Sequence, residues 1–449
     1  MSTPLSQPDS LEKTHLYYVS SISGVSTPSS SVTAVSQGTT PSSSVTLLPL
    51  TAPKREPSKT GDFDRAASRS RWILFQLWFN TYRRFFVFVT LLNLVGISMT
   101  IAGHFPYAEN HLGALVLGNL LAAIMVRNEL FLRFLYFIAI YGLRAWAPLW
   151  LKYTVVSILQ HVGGIHSGCA LSAVAWLVYK VVVIIIHHSV QHYSVIATGV
   201  ITILFVSTAL LSAFPWIRKS SRKDAELSLT LNSIFLPWFT VRKVPVEVEI
   251  PSSKVAVLRF ERGMQQGLLG RIGRGSIMEY HAFGIISEGR KSPYHYMICG
   301  VQGDFTKNLV ANPPKSVWTR QLKFAGPGHA SAMFKRGIRI CTGTGLGAAL
   351  STCIQNPNWF LIWIGSNQEK TFGPTISALI RNNIEPERMI LWDSKERGGR
   401  PDTMKLLRDT WHSFGAEVIF ITSNMQGNDE MMQGCRAEGM RAFGTLWDF

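Results

Sequence analysis

Residues 337–351, GIRICTGTGLGAALS, combine a short apolar run, a glycine-rich turn and a run of small residues. Ile338 to Cys341 predict a buried strand, and Ala348 begins a stretch that predicts a helix. In the turn between them, missing side chains let backbone amides approach a phosphate, and the helix dipole favours its negative charge. The stretch is therefore a candidate site for a phosphate-bearing ligand.

The spacing Gly343-x-Gly345-x-x-Ala348 satisfies the dinucleotide-binding fingerprint in its Gly/Ala form. No Lys-Ser or Lys-Thr pair follows Gly347, which excludes a P-loop. Glycine turns between a strand and a helix are also common without a ligand, so the loop alone leaves a purely structural role open.

Composition narrows the class of protein. The chain has 449 residues, enough for two or three domains, with a net charge of +17 and 47% hydrophobic residues. No DNA- or RNA-binding motif accompanies the basic excess, which disfavours nucleic-acid binding; cytoplasmic flanks of membrane spans and anionic ligands account for it. The five cysteines form no CxxC pair, so we expect neither a metal site nor a disulfide scaffold: Cys169, Cys299, Cys341, Cys353 and Cys435.

The first 70 residues are rich in Ser, Thr and Pro and carry no secretory signal, which predicts a disordered tail. Span-like apolar stretches follow at 85–103, 112–126, 168–186 and 195–216. Basic clusters before the first and after the last place both termini in the cytoplasm, which requires an even number of spans. We expect four spans, with much of 130–165 lying along the membrane interface as amphipathic helix; six spans, with 153–165 as a short extra one, are the alternative.

Histidines near these spans suggest haem, and their spacing tests the idea: His104, His111, His161, His166, His187, His188 and His192. Two stacked haems need, on each of two helices, two histidines about 13–14 residues apart. That step from His161 reaches Val174 or Ala175, and no histidine stands there. We therefore predict no transmembrane haem and interpret these histidines as interfacial.

The C-terminal half changes pattern. Short alternating segments at 241–250, 254–263, 279–289 and 295–309 predict an antiparallel β-barrel. Beyond residue 337, strands at 338–342, 359–364, 388–392 and 416–421 alternate with helices such as 371–382 and 402–414, which predicts a parallel, doubly wound α/β domain.

A barrel followed by such a domain resembles the ferredoxin–NADP reductase superfamily, and short motifs resemble its ferric-reductase and NADPH-oxidase branch. His281-Ala282-Phe283-Gly284 resembles the HPFT element, which lies along the flavin. Gly303-Asp304-Phe305-Thr306 resembles the segment whose backbone and hydroxyl meet the flavin pyrophosphate. Gly326-Pro327-Gly328 resembles the turn that closes the barrel.

The nucleotide side carries the remaining motifs. Gly343-Thr344-Gly345-Leu346-Gly347 resembles the loop that faces the nicotinamide nucleotide pyrophosphate, and Gly399-Arg400-Pro401 resembles the GRP element. Phe449 resembles the terminal aromatic that covers the flavin until the nicotinamide displaces it, which makes it the implied catalytic residue. Ser366, Asn367 and Lys370 are candidates for a 2′-phosphate, although a solvated loop explains them equally well.

Three departures qualify the resemblance. Gly284 replaces the threonine of HPFT, and Ala348 replaces a proline. The C-terminal CGP turn is missing, with Cys435-Arg436-Ala437 in the nearest comparable stretch.

Within the superfamily, residues 85–449 most resemble the fungal TmpA-type transmembrane flavoproteins, which are linked to asexual development (conidiation).

The resemblance implies a plasma-membrane flavoprotein oxidoreductase that passes hydride from NAD(P)H to FAD and then to an unknown acceptor, with the lipid bilayer as a further partner. The predicted domains are a tail (1–70), a transmembrane helical region (71–217), an FAD-binding barrel (218–336) and an NAD(P)-binding α/β domain (337–449). One alternative is a catalytically silent flavin- or nucleotide-binding scaffold or sensor. A transporter or channel built on 85–216 is another, with Lys180 as its main polar candidate.

Overall fold

The computed structural model describes residues 71–187, 193–212, 240–275, 280–321 and 323–445. The predictions for the N-terminal tail, for the basic segment at 218–223, for His188 and His192, and for Phe449 fall outside these residues.

Eight helices are described before the first strand. They are α1 (Arg71–Trp78), α2 (Thr81–Ile101), α3 (Pro106–Asn110), α4 (Leu112–Met125), α5 (Glu129–Leu143), α6 (Leu149–His161), α7 (Gly163–His187) and α8 (Tyr193–Ser212). The helices α2, α4 and α8 all pack against α7.

Close contacts fix the directions of these helices. On α7, Gly168 faces Val89 of α2, and further along Trp176 faces Gly96 of α2, so the two helices run parallel. His166 Nδ1 lies 2.9 Å from the carbonyl oxygen of Ala123, near the end of α4, so α4 runs antiparallel to both. The beginnings of α2 and α7 and the end of α4 therefore lie at one end of the helical bundle.

By length and hydropathy, α2 and the Gly163–Ile186 part of α7 are able to cross a membrane. Among the described residues, a third span arises only if α4 and α5, which are bent by 70°, act together. The apolar part of α8, Ile196–Thr208, is shorter. Two of the four predicted spans thus have the expected length and composition, and the other two stay predictions.

Helices α5 and α6 form a hairpin that packs against the C-terminal half. Tyr136 and Ile140 of α5 and Val156 of α6 are buried in the same core as the antiparallel sheet. Glu129 at the start of α5 forms ion pairs with Arg271 at 2.5 Å and Arg320 at 2.8 Å. The prediction placed much of 130–165 along a membrane interface and did not include a protein contact, whereas one face of the hairpin is covered by the half-barrel.

The antiparallel sheet has the order β1-β7-β4-β5-β6-β3-β2, with β8 paired to β4. Its strands are β1 (Val241–Pro245), β2 (Glu247–Ser252), β3 (Val255–Glu261), β4 (Leu268–Gly273), β5 (His281–Ile286), β6 (Tyr294–Gly300), β7 (Ser316–Arg320) and β8 (Phe324–Ala325). As described, its strand order is an open path from β1 to β2. The antiparallel sheet is confirmed, as a half-barrel.

The predicted strand 295–309 is wrong in its second half. Strand β6 ends at Gly300, and α9 (Asp304–Ala311) follows. Phe305 and Leu309, four residues apart, are both buried, which is the spacing of a helix face. The alternation of a strand and one face of a helix are easily confused over so short a segment.

After β8, a short helix α10 (Pro327–Ala330) leads into the parallel sheet β11-β10-β9-β12-β13. Its strands are β9 (Gly337–Thr342), β10 (Trp359–Gly365), β11 (Met389–Asp393), β12 (Val418–Thr422) and β13 (Ala442–Phe443). The intervening helices are α11 (Leu346–Gln355), α12 (Gln368–Asn383), α13 (Thr403–Phe414) and α14 (Met425–Ala437). The predicted doubly wound domain is confirmed, with β13 as a strand that the sequence did not predict.

Candidate functional site

The parallel sheet is built outward from its middle in two directions. The chain adds β10 and β11 on one side of β9, and then returns to add β12 and β13 on the other side. Thr342 at the end of β9 and Ser423 after β12 join their hydroxyl oxygens at 2.9 Å. In open parallel sheets, ligands bind outside the carboxyl ends of the strands at such a point.

The glycine loop opens this crevice. Gly343–Gly345 forms a single 3₁₀ turn, and Gly343 has a φ of +51°, which a glycine adopts without strain. The indole N–H of Trp363 donates to the Gly343 carbonyl oxygen at 3.1 Å and holds the turn on β10. Helix α11 starts directly afterwards, so its positive end lies at the crevice.

Gly345 has a packing role of its own. A Cβ atom added there would stand 2.5 Å from the carbonyl oxygen of Thr422 on β12. At Gly347, a Cβ would stand 3.5 Å from the Ile298 Cβ, which is an ordinary contact. The absence of a side chain at Gly345 is therefore explained by the neighbouring strand, without a phosphate.

On the antiparallel sheet, two predicted flavin-binding segments come together. The His281 ring stacks on Phe305 with centroids 4.1 Å apart, and Phe283 lies 6.5 Å from the same ring. Phe305 is buried, whereas Ala282 is exposed and His281 and Phe283 are half-buried. Arg320, whose guanidinium lies over the Tyr280 ring at 5.3 Å, is paired with Glu129 of α5. The arrangement of His281, Phe283 and Phe305 offers flat ring surfaces.

Thr306 serves its own helix. Its hydroxyl oxygen accepts from the amides of Gln302 at 3.1 Å and Gly303 at 3.2 Å, and its proton is donated to the Gly303 carbonyl oxygen. Asp304, in the first turn of α9, is exposed. A phosphate at this helix would meet backbone amides and an opposing carboxylate, and the Thr306 hydroxyl has no proton left for it.

Strand β5 of the half-barrel meets helix α11 of the α/β domain at Gly284. A Cβ atom there would stand 2.4 Å from the Gly347 carbonyl oxygen and 2.5 Å from the Ala348 nitrogen. Nearby, a Cβ on Gly300 would stand 3.1 Å from the Thr344 Cγ2. The partly exposed rings of His281 and Phe283 suit stacking against a flavin, whereas Gly284 packs directly on the backbone of Gly347 and Ala348.

The GRP element lies beyond β11, on the same edge of the sheet as the glycine loop. Gly398 and Gly399 have φ values of +71° and +155°, and the Trp392 indole N–H donates to the Gly399 carbonyl oxygen at 2.9 Å. Arg400 and Pro401 follow, with Arg400 exposed. Strand β10 separates β11 from β9, so the GRP element and the glycine loop follow strands that are not neighbours in the sheet.

Asp393 at the end of β11 organises the loop that holds Ser366, Asn367 and Lys370. Its carboxylate accepts from the amides of Asn367 at 3.0 Å and Gln368 at 2.7 Å. Burial acts to raise the pKa of the Asp393 carboxyl, but the backbone amides outweigh it and hold the pKa below its usual value. The loop is therefore held in shape by the protein itself, with Lys370 exposed at its end.

Cys435 is not part of the crevice. It is buried inside α14, and burial raises the pKa of its thiol to about 12. Ser423, which follows β12, contacts Thr342 beside the glycine loop, and the next residue, Asn424, caps α14 by accepting from the Gly427 amide at 2.9 Å. The sequence analysis missed this loop, although a Ser-Asn pair directly after a buried strand is a helix-start signal.

A second polar cluster lies inside the helical bundle and was also missed. The Asn93 side-chain oxygen accepts from the Asn119 amide at 2.9 Å and from the Trp176 indole at 2.9 Å. Trp176 is fully buried and packs against Gly96, so this part of the bundle is filled with protein. Among the residues described, no cluster of three or more His, Cys, Asp or Glu side chains is placed to hold a metal ion.

Comparisons with known proteins match the C-terminal domain by itself and, with curated relatives, most of the chain. Residues 328–449 match a family model described as the C-terminal domain of adenylate-forming reductase 03009. Over 420 residues, 82% of this chain, the sequence is 25% identical to adenylate-forming reductase 06235 of Coprinopsis cinerea and 24% identical to adenylate-forming reductase 03009 of the same fungus. The chain spans 40% of the length of each of these two relatives.

Solved structures show weaker likenesses. Flavohemoglobin from Malassezia yamatoensis, with bound FAD and heme, is 11% identical, with 76% of this chain and 98% of that chain covered and a TM-score of 0.38. Phthalate dioxygenase reductase is 9% identical, with 45% and 68% covered and a TM-score of 0.36.

Proposed function

We propose that this chain is a flavoprotein oxidoreductase that binds FAD and NAD(P)H and takes hydride from the nicotinamide. The observation that carries the proposal is the meeting of three segments at one junction: residues 281–284, 303–306 and 343–347. They are distant in the chain, and they come together where the half-barrel touches the carboxyl edge of the parallel sheet. The two curated relatives are also named as reductases.

Each segment has a role in this proposal. The amides of the 343–345 turn and the positive end of α11 bind the nicotinamide nucleotide pyrophosphate. His281, Phe283 and Phe305 orient the flavin with their ring faces. When bound, FAD supplies the redox chemistry, so the chain needs no acid–base pair of its own.

The proposal extends to the membrane region, the branch of the superfamily and the terminal residue. The four-span membrane bundle, with both termini in the cytoplasm, is supported by the packing of α2, α4 and α8 on α7 and by the common end at which α2 and α7 begin. The TmpA-type branch, the plasma membrane and a place in fungal development rest on the sequence resemblance. We also propose that Phe449 covers the flavin, in which case Phe449→Ala tightens NAD(P)⁺ binding by roughly two- to tenfold.

The test is an absorption spectrum of the purified full-length protein, followed by anaerobic titration with NADH and NADPH. Bound flavin that bleaches on titration supports the proposal, and a preparation reconstituted with FAD that neither binds nor bleaches it sinks the proposal. Arg400→Gln should raise the nucleotide concentration needed for half-bleaching without changing flavin content. Lys405→Gln removes an exposed cation on α13 and serves as the matched control.

A silent flavin- or nucleotide-binding scaffold is the second candidate. The contact between Gly284 and Ala348 favours it, because β5 and α11 pack directly on each other at this point with no ring between them. Flavin that stays oxidised under both nucleotides, while NADP⁺ or NAD⁺ still shifts its spectrum, would identify this scaffold.

A further inference from the structure

An apolar groove of about 270 Å³ runs between α5 and α6. Side chains from both helices line it, among them Leu135, Ile138 and Leu143 from α5 and Val155 and Ile158 from α6. All of its lining residues are apolar or glycine, so nothing in it offers a hydrogen bond from a side chain. Such a groove selects a hydrocarbon chain over any polar ligand.

The groove continues onto an exposed apolar face of the hairpin. Phe134, Phe137 and Tyr141 on α5 are 55–62% exposed, and Trp146 and Trp150 at the turn are 67–68% exposed. A contiguous exposed patch of this kind marks a surface that meets another apolar phase or a partner. Tryptophan and tyrosine are the side chains that concentrate at membrane–water interfaces.

The hairpin is connected at both ends to helices that belong to the proposed membrane bundle. Helix α5 begins a few residues after α4 ends and is bent from it by 70°. Helix α7, which is able to cross a membrane, begins at Gly163, directly after α6. The hairpin therefore lies at one end of the bundle, with the half-barrel on its other face.

Its charge favours anionic head groups. Glu129 is the one acidic residue between positions 127 and 162, and it is turned to Arg271 and Arg320 of the half-barrel. Arg127 and Arg144, at the two ends of α5, are exposed. Basic residues beside an apolar face attract anionic lipids to the same surface.

We propose that the α5–α6 groove holds an acyl chain of an anionic membrane phospholipid, so that the hairpin seats the reductase half on the bilayer. The proposal rests on the membrane spans proposed above, and the experiment separates the two. The groove proposal is independent of the proposed flavin chemistry.

The experiment uses full-length protein in vesicles of phosphatidylcholine, with or without phosphatidylserine, that contain a phospholipid with a photoreactive diazirine in its acyl chain. Cross-linked peptides are mapped by mass spectrometry. Labelling of 135–143 and 155–159, increased by phosphatidylserine, is the expected result. Exposed span residues Leu91 and Leu92 of α2 should label in both vesicles and act as the internal reference.

Gly142 permits a specific block of the groove. Gly142 lines the groove, and a Cβ atom there meets no atom within 4 Å, so Gly142→Ala adds a methyl group without a clash and Gly142→Phe adds a ring at the same place. Labelling of the groove peptides should fall several-fold with phenylalanine and less with alanine. Gly118→Phe on α4, where a Cβ also meets nothing, is the control and should leave groove labelling unchanged.

The outcomes are distinguishable. Labelled Leu91 and Leu92 with unlabelled groove peptides would overturn the groove proposal and leave the spans standing. No labelling at either place would overturn both. Labelling of the groove peptides that is indifferent to Gly142→Phe would also overturn it. Size-exclusion profiles identical to wild type confirm that each variant is folded.

Discussion

Gly284 on β5 and Gly347 on α11 lie so close that a Cβ atom on Gly284 would stand 2.4 Å from the Gly347 carbonyl oxygen. The obstacle is backbone, which cannot rotate out of the way as a side chain can. This contact sets the separation of the half-barrel and the α/β domain at the very place where the proposed cofactors meet. It also explains why glycine stands where the resembling family has threonine.

The first prediction follows from that contact. Gly284→Ala should destabilise the protein by about 1–3 kcal/mol, because overpacking a tight interface forces backbone shifts. Thermal unfolding of the purified chain measures it. Gly303→Ala is the control, since a Cβ at Gly303 meets no atom within 4 Å. Equal melting temperatures for Gly284→Ala and wild type would show that the sheets separate freely.

The second prediction concerns Glu129, whose side chain is only 17% exposed and pairs with both Arg271 and Arg320. Glu129→Gln should weaken docking of the α5–α6 hairpin by about 1–3 kcal/mol, since two charge-assisted bonds lose their acceptor charge. Earlier cleavage of 129–161 by a protease should accompany a lower melting temperature. Glu369→Gln removes the exposed pair with Arg381 and should have almost no effect. A hairpin as resistant as wild type in Glu129→Gln would argue against this latch.

The third prediction is a pH dependence from His295, which stacks on Phe260 with centroids 5.0 Å apart. Burial, with help from Lys323 and Arg262, lowers the pKa of His295 from 6.5 to about 4, and its Nε2 is buried without a partner. Between these values the unfolded chain binds a proton that the folded chain does not. Stability therefore falls as pH falls from 6.5 to 4, by about 3 kcal/mol in full.

Urea unfolding at a series of pH values tests this contribution. His295→Gln should flatten the profile between pH 6.5 and 4, whatever it does to stability at pH 7. His412→Gln changes an exposed histidine and should leave the slope intact. An unchanged slope in His295→Gln would assign the acid sensitivity to other groups, such as His329, whose pKa burial also lowers.

The fourth prediction concerns topology. All five native cysteines are buried, so a cysteine placed on the surface can be labelled selectively. Glu109→Cys, between α2 and α4 at the end of the bundle away from the half-barrel, should react with an impermeant maleimide added outside intact cells. Lys254→Cys on the half-barrel should react only after permeabilisation. The reverse pattern would invert the proposed orientation.

The sequence determined the features that depend on local pattern. The buried strands β10 and β12 are recognisable in the sequence as uninterrupted apolar runs, because a parallel sheet is covered on both faces. The glycine loop was recognisable from the spacing of its glycines. The structure explains two of them, since Gly343 has a left-handed φ and Thr422 lies too close to Gly345 for a side chain. Apolar length alone identified α2 and α7 as candidate spans.

Only the tertiary structure decided which distant residues meet. The pairing of Glu129 with Arg271 and Arg320 joins charges more than 100 residues apart, and no local pattern encodes it. No local pattern encodes the contact of Asn93 with Trp176 either. At Gly284, the neighbour that excludes a side chain lies in another domain. Periodicity reports which face of an element is buried, whereas the identity of the covering surface depends on how the whole chain packs.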